Sequence, residues 1–189
     1  MERRWVEPSV LTGYTVGGLA AHLLRAVSTP LGYLDQEATD STADADAAHY
    51  FLRALGDHDP VDSDLHRAVR QRSDDMAASG PLAVLDATRG ALLSLTGRLE
   101  VEPSDRVVVA FGGTSIGLDD YLETRIVELL IHADDLAESC PELGGQAMPA
   151  AAWNLAGRVV AEVAARRTGD RQFVLGLSRA ERAQRPLAF

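Results

Sequence analysis

The chain has 189 residues, 46% of them hydrophobic, which is enough for one domain of ordinary size with a substantial core. Its formal net charge is −10, and no stretch concentrates arginine with aromatic residues, so nucleic acid is not an expected partner. All 18 basic residues are arginine, which excludes Schiff-base chemistry and a phosphate-binding P-loop, because each of these needs a lysine.

The sequence contains no pattern typical of export or of membrane insertion. The opening MERRWVEPSV lacks the apolar centre of a signal peptide, and no apolar run approaches the roughly 20 residues that span a bilayer. The single cysteine, Cys140, cannot form an internal disulfide, in agreement with a reducing compartment. We therefore expect a cytoplasmic protein with no membrane partner. We interpret Cys140 as structural, because the end of a helix disfavours a thiolate.

Helical patterns occupy the first half of the chain. Thr15 is placed to cap a first helix that runs to about Leu34, with apolar residues along one stripe and Pro30 as a site for a kink. Periodicity and breaker residues predict three further helices, at about residues 45–55, 62–79 and 81–99.

The second half contains one extended passage and two longer helices. RVVVAF, at 106–111, is a β-branched run typical of a short strand. The GGTSIG segment after it lacks the G-x-S-x-G spacing of a nucleophile elbow, so we interpret it as a turn and helix cap. Helices are predicted at about 119–139 and from Pro149 to a stop at Gly169.

No internal repeat, low-complexity tract or long linker divides the sequence, so we predict a single domain over residues 1–189. Its class is all-α: an antiparallel four-helix bundle with short extra helices and at most one short strand segment. The interior should consist mainly of Ala and Leu, because aromatic residues make up only 5% of the chain.

An acid and an imidazole lie one helical turn apart inside the apolar run IVELLIHA. Glu128 and His132 are four residues apart, so their side chains leave the same face of the predicted helix. Burying a carboxylate is strongly unfavourable unless a cation or strong donors compensate its charge. Two explanations stay open. Either a divalent metal is held by this pair and one more ligand, or Glu128 bonds to His132 and Arg125 within the helix.

A third ligand is expected from the first helix. His22, in LAAHLLRAV, borders the apolar stripe, so two packed helices can point all three side chains into one gap. Taken alone, His22 is better explained as a hydrogen-bonded histidine between helices. His49, beside the apolar face of the second helix, is the reserve ligand. His58 and His66 lie in or near acidic loops and are expected to be solvated.

Two segments, LAAHL and RIVELLIHADDL, resemble the DinB-like superfamily, and most closely the N-terminal domain of mycothiol-dependent maleylpyruvate isomerases. Trp5 and GYTVGGLAAHLLRA are also similar to that family's opening, and the resemblance covers about residues 1–140. It implies a four-helix bundle that holds a divalent metal through His22, Glu128 and His132. Members that isomerise maleylpyruvate also carry a C-terminal domain, for which this chain has no room, and shorter relatives include thiol S-transferases.

The resemblance implies an enzyme that uses a divalent metal and mycothiol. Zinc is the first choice of metal, with nickel, iron, cobalt or manganese as alternatives. A thiol bound to such an ion loses its proton near neutral pH, and the thiolate can attack a small electrophile, as an S-transferase or an isomerase. Arg125 and Asp135 share the ligand flank, where they are expected to orient Glu128 and His132.

Other interpretations of the same residues stay open. A metal-bound water would make the site hydrolytic, and a bundle without activity would be a metal-stabilised small-molecule binding or stress-associated protein. Arg125 and Asp135 are equally compatible with a surface ion pair. The expected partners are a small thiol, an electrophilic substrate and, among macromolecules, only a second copy of the chain in a homodimer.

Overall fold

The computed structural model describes residues 2–37, 42–56, 62–144, 147–179 and 181. Seven α-helices and one two-stranded sheet lie in this part of the chain. In chain order they are α1 (Val16–Leu34), α2 (Ala47–Leu55), α3 (Asp64–Ala77), α4 (Pro81–Leu99), β1 (Val107–Ala110), β2 (Thr114–Gly117), α5 (Leu118–Ser139), α6 (Ala150–Thr168) and α7 (Asp170–Ser178). The predicted all-α class is confirmed. No helix in the described ranges has the apolar length that a bilayer crossing requires.

The two central helices of the bundle are α1 and α5. Helix α1 packs against α3, α4 and α5, whereas α5 packs against α1, α2 and α6. The two central helices run antiparallel, since His22 lies beside Glu128 whereas Tyr33, near the end of α1, meets Tyr121, near the start of α5. The contact between these two helices contains the candidate site.

The start of α1 is held by a cap and by the N-terminal segment. Oγ1 of Thr15 accepts a hydrogen bond from the Gly18 amide at 2.9 Å, which is the predicted N-cap. The indole of Trp5 donates to the carbonyl of Ala77, at the end of α3, at 3.0 Å. The same ring lies against Gly17, where an added Cβ atom would come within 2.6 Å of it. Gly17 therefore allows the N-terminal segment, α1 and α3 to meet.

The predicted strand is one half of a β-hairpin. β1 (Val107–Ala110) lies within the predicted extended passage and pairs antiparallel with β2 (Thr114–Gly117). The prediction of a turn and helix cap for GGTSIG holds for Gly112 and Gly113, whose φ values of 71° and 76° suit glycine, and for Gly117, which is the N-cap of α5. The rest of that segment is a strand because Ile116 is fully buried and because pairing satisfies backbone groups that a lone strand would leave open.

Helix α7 was not predicted. Gly169 ends α6 as expected, with a φ of 82°, but the chain continues directly into α7. It escaped prediction because it has only nine residues and follows directly on the glycine that ends α6. Phe173 attaches it to the core group formed by α2, α5 and α6.

Helix α5 contacts the bundle on two sides. Val127 and Leu130 pack against the apolar face of α2 and against Val159 of α6. The side toward α1 carries Glu128 and His132 instead. Apolar packing on one side of α5 therefore sets the position of the polar side chains on the other.

The contact between Trp5 and Gly17 predicts how a substitution at Gly17 changes the stability of the protein. We expect Gly17→Ala to lower the free energy of unfolding by about 1–3 kcal/mol, because the new methyl group overlaps the indole. Gly32→Ala is the matched control on the same helix, where a Cβ meets nothing within 4 Å, and it should raise stability by up to about 1 kcal/mol. Urea unfolding of both variants measures the difference, and equal stabilities would contradict the packing described.

Candidate metal centre

Three side chains with metal-ligating atoms meet where α1 contacts α5. His22 lies on α1, and Glu128 and His132 lie on successive turns of α5. Oε2 of Glu128 is 3.5 Å from Nε2 of His22 and 3.5 Å from Nε2 of His132. One ligand atom from each residue lies within 4.8 Å of the other two. The structure thus brings the three predicted ligands together.

The separations of 3.5 Å suit a shared cation better than direct hydrogen bonds. Hydrogen bonds between a charged N–H donor and a carboxylate are about 2.7–2.9 Å long, which is shorter than either contact. Two ligand atoms that each lie about 2.0–2.1 Å from a tetrahedral zinc ion are about 3.4 Å apart. This set of one carboxylate oxygen and two imidazole nitrogens could therefore hold a divalent ion.

Asp135 contacts the ring of His132. Its Oδ2 atom is 3.0 Å from Nδ1 of His132. If Nδ1 carries the proton and donates a hydrogen bond to Asp135, the lone pair of Nε2 in the neutral ring faces Glu128. A lone pair and a carboxylate repel each other unless a proton or a metal ion lies between them. The position of Asp135 therefore suits a residue that fixes the tautomer and the ring orientation of His132.

The charge of Glu128 governs the protonation of its neighbours. The Glu128 side chain is only 24% exposed. Burial opposes its charge, but the two imidazoles and the guanidinium of Arg125 outweigh burial and hold the pKa of Glu128 below its ordinary value. Burial also lowers the pKa of His132, but contacts with Glu128 and Asp135 outweigh it and raise that pKa above its ordinary value. In the metal-free protein, the proton of this pair therefore belongs to the imidazole.

Arg125 lies one turn before Glu128 but forms no ion pair with it within 4.0 Å. Its Nε donates to Oγ1 of Thr124 at 3.0 Å, and its guanidinium lies 5.0 Å from the ring centroid of Tyr121 and 5.8 Å from that of Tyr50. Burial opposes its charge, but Tyr121 and Glu128 outweigh burial and raise the pKa of Arg125. The direct bond from Arg125 to Glu128, one of the two explanations left open, does not occur.

Two polar residues beside the cluster escaped the sequence analysis. The ring of Tyr14 is 5.5 Å from that of His22, and burial raises the pKa of Tyr14 to about 12. Arg25 follows His22 by one turn of α1, and burial together with the charge of Arg72 lowers the pKa of Arg25. The sequence could have indicated that Arg25 lies near the site, because it is three residues after His22 and so shares a face of the helix. Nothing in the sequence indicates Tyr14, because it precedes the helix.

The other histidines lie apart from the cluster. His49, the reserve ligand, is exposed on α2 and contacts Arg166 of α6. His66 lies near the start of α3, as expected for a residue near a loop, but the expectation that it is solvated is wrong. His66 lies in the first turn of α3, partly buried, with Nδ1 2.7 Å from the hydroxyl of Ser63, which caps that helix. His58 lies outside the described residues.

A sequence model of one protein family matches residues 1–137, and that family is described as "Mycothiol maleylpyruvate isomerase N-terminal domain". The chain belongs to this family. The family is DinB-like, as the resemblance indicated, and the matched range contains all three residues of the cluster. No curated protein and no solved structure matches the chain.

The arrangement predicts how His132 titrates in metal-free protein. Its pKa should lie above the ordinary value of about 6.5, and Glu128→Gln should lower it, because an amide does not stabilise the imidazolium. The stability that this pair contributes is therefore fully present between about pH 4.5 and 6.5, and it is lost as the pH rises through the raised pKa of His132 or falls through the lowered pKa of Glu128. NMR titration in the presence of a chelator measures both values. His66 is the internal control, and an unchanged His132 pKa in Glu128→Gln would contradict the described contact.

Proposed function

We propose that His22, Glu128 and His132 hold one divalent metal ion, and that the protein uses it with mycothiol in a transferase or isomerase reaction on a small electrophile. The observation that carries this proposal is the Glu128 oxygen shared at 3.5 Å by two imidazole nitrogens. Zinc suits this set of nitrogen and oxygen donors, and nickel, iron, cobalt or manganese accept the same donors. Membership of a family described by mycothiol and maleylpyruvate isomerase supports the choice of thiol and of reaction class.

The residues of the cluster have separate tasks in this proposal. A divalent ion with open coordination positions lowers the pKa of a thiol, so that thiolate is available at neutral pH. Glu128 contributes the single negative charge among the three ligands, so the loaded site keeps a net positive charge. Asp135 keeps the Nε2 lone pair of His132 directed toward the ion, which fixes the tautomer that can bind.

The nucleophilic sulfur must come from outside the chain. Cys140 is the single cysteine and is buried. It lies about 12 Å along the axis of α5 from His132, at 1.5 Å per residue, so it cannot attack a substrate bound at the cluster. An added small thiol is therefore the nucleophile of the proposed reaction. Because that thiol must stay reduced, the proposal includes a cytoplasmic location.

Arg25 and Arg125 are proposed to position the electrophile. They lie within one helical turn of His22 and Glu128, on the two helices that carry the cluster. Neither forms an ion pair within 4.0 Å with another described residue. Thr124 holds Nε of Arg125, which leaves the two terminal nitrogens to receive a carboxylate. An electrophile with an anionic group is therefore favoured over a neutral one.

A non-catalytic role is the alternative: a metal-stabilised protein that binds a small molecule. One observation favours it. The buried Nδ1 of His22 has no hydrogen-bond partner among the described residues, so its ring lacks the second hydrogen bond that usually fixes a ligating imidazole and that a catalytic site needs for precise geometry. The metal would then contribute stability, as it does at structural sites.

Metal content is the first test. Protein purified without a His-tag should contain about one divalent ion per chain, and His22→Ala or His132→Ala should lower both metal content and melting temperature. A ligand at about 100 times its dissociation constant stabilises the folded state by about 2.7 kcal/mol, so the loss is measurable. His49→Ala is the control, because His49 is exposed and lies outside the cluster. Elemental analysis that finds equal metal in all variants would exclude the three-ligand site.

Thiol dependence is the second test. Product formation should require added mycothiol, survive Cys140→Ser and disappear in Glu128→Gln and His132→Ala, because only the cofactor thiol is the nucleophile. Glutathione and bacillithiol are controls for the identity of the thiol. Loss of activity in Cys140→Ser with metal retained would point instead to a protein thiol.

The same assay examines the two arginines with a pair of electrophiles that differ in charge, iodoacetate and iodoacetamide. Arg25→Gln and Arg125→Gln should lower kcat/KM for iodoacetate about tenfold or more, the value of one charge-assisted hydrogen bond, and change that for iodoacetamide little. Equal losses for both electrophiles would assign the arginines a structural role. A metal-loaded protein that turns over neither compound with any thiol would favour the non-catalytic alternative.

A further inference from the structure

Helix α4 leaves most of its apolar side chains uncovered. Val84 is its one fully buried residue, and it packs against Ala21 and Leu24 of α1. Four leucines on the same helix are exposed: Leu82 (72%), Leu85 (44%), Leu92 (48%) and Leu93 (77%). Since α4 packs chiefly on α1, its opposite side has no covering element in the described part of the chain.

The exposed residues form one stripe rather than a scatter. One side of the helix carries four residues at steps of four, three and four positions: Leu82, Asp86, Arg89 and Leu93. Leu85 and Leu92 flank this stripe on the same edge. Single exposed leucines are ordinary on protein surfaces, but four on one side of one helix form an apolar surface, divided by an acid and a base, that a partner can cover.

The charges within the stripe are arranged symmetrically. Asp86 and Arg89 are 78% and 68% exposed, and they pair only loosely with each other, at 3.7 Å. Leu82 lies four residues before the acid, and Leu93 lies four residues after the base. When two copies of this helix lie antiparallel, each outer leucine therefore faces a leucine of the other copy, and each acid faces a base. This property is required of a surface that binds its own copy about a two-fold axis.

We propose that this face of α4 is the interface of a symmetric homodimer in which two α4 helices pack antiparallel. The two-fold axis passes beside residues 87 and 88. Leu82 then lies opposite Leu93 of the second copy, and Asp86 lies opposite Arg89 of the second copy, each pair occurring twice. Leu85 lies beside Leu92 of the second copy and closes one edge of the interface.

Gly90 lies on the other edge, where a Cβ atom would meet nothing within 4 Å, so no side chain at this position obstructs the second helix. The interface would lie on the side of α4 away from α1, so it does not depend on the proposed chemistry at His22.

Sedimentation velocity of the full chain at about 1 to 100 µM tests the dimer. The wild-type protein should sediment as a dimer at the upper concentrations, and Leu93→Glu should sediment as a monomer. Leu93 makes few contacts within the chain, so this variant should keep its circular dichroism spectrum. Leu177→Glu is the matched control, since Leu177 of α7 is 68% exposed but lies outside the stripe, and it should remain dimeric.

Charge reversal tests the proposed geometry separately. Asp86→Arg places like charges opposite each other at two symmetric positions, and it should raise the dimer dissociation constant about tenfold or more. The double variant Asp86→Arg/Arg89→Asp should restore it to near the wild-type value. A monomeric wild-type protein at the highest concentration would overturn the proposal and leave the stripe to a different partner. A dimer that is indifferent to Asp86→Arg, or not restored in the double variant, would equally overturn it.

Discussion

The carboxylate of Glu128 is the charge on which the centre of this bundle depends. It lies between two helices whose other contacts are largely apolar, and its pKa is held down by the imidazoles of His22 and His132 and by Arg125. A buried carboxylate without such neighbours would be strongly destabilising. The contact between α1 and α5 is therefore electrostatic at its centre and apolar around it. This combination requires one exact relative placement of the two helices, whereas apolar packing alone tolerates several.

Two arginines lie beside this centre, although the chain as a whole is acidic. The protein has a net charge of −10, yet Arg25 and Arg125 lie beside the cluster without carboxylate partners among the described residues. Cation–π contacts with Tyr50 and Tyr121 partly compensate the burial of Arg125. Tyrosines rather than acids thus surround this guanidinium, which preserves its capacity to bind an anion.

Helix α1 connects the two regions for which we make proposals. One side of it carries His22 toward α5, and another side receives Val84 of α4 through Ala21 and Leu24. The N-terminal segment holds the start of the same helix through Trp5 and Gly17. Small residues at these contacts allow neighbours to approach α1 closely. The outer face of α4 stays exposed in this arrangement, because only one side of α4 packs against α1.

The sequence by itself determined the features that depend on residues close together in the chain. Helical periodicity predicted the all-α class, Thr15 predicted the start of α1, and the step from Glu128 to His132 predicted two ligands on one face. The family resemblance indicated His22 as the third ligand, but only the tertiary structure decided that it shares one carboxylate oxygen with His132, that Arg125 turns to tyrosines instead of Glu128, and that β1 finds a partner in β2. Each of these depends on which surfaces pack together, and local spacing carries no information on the rotation of one helix against another.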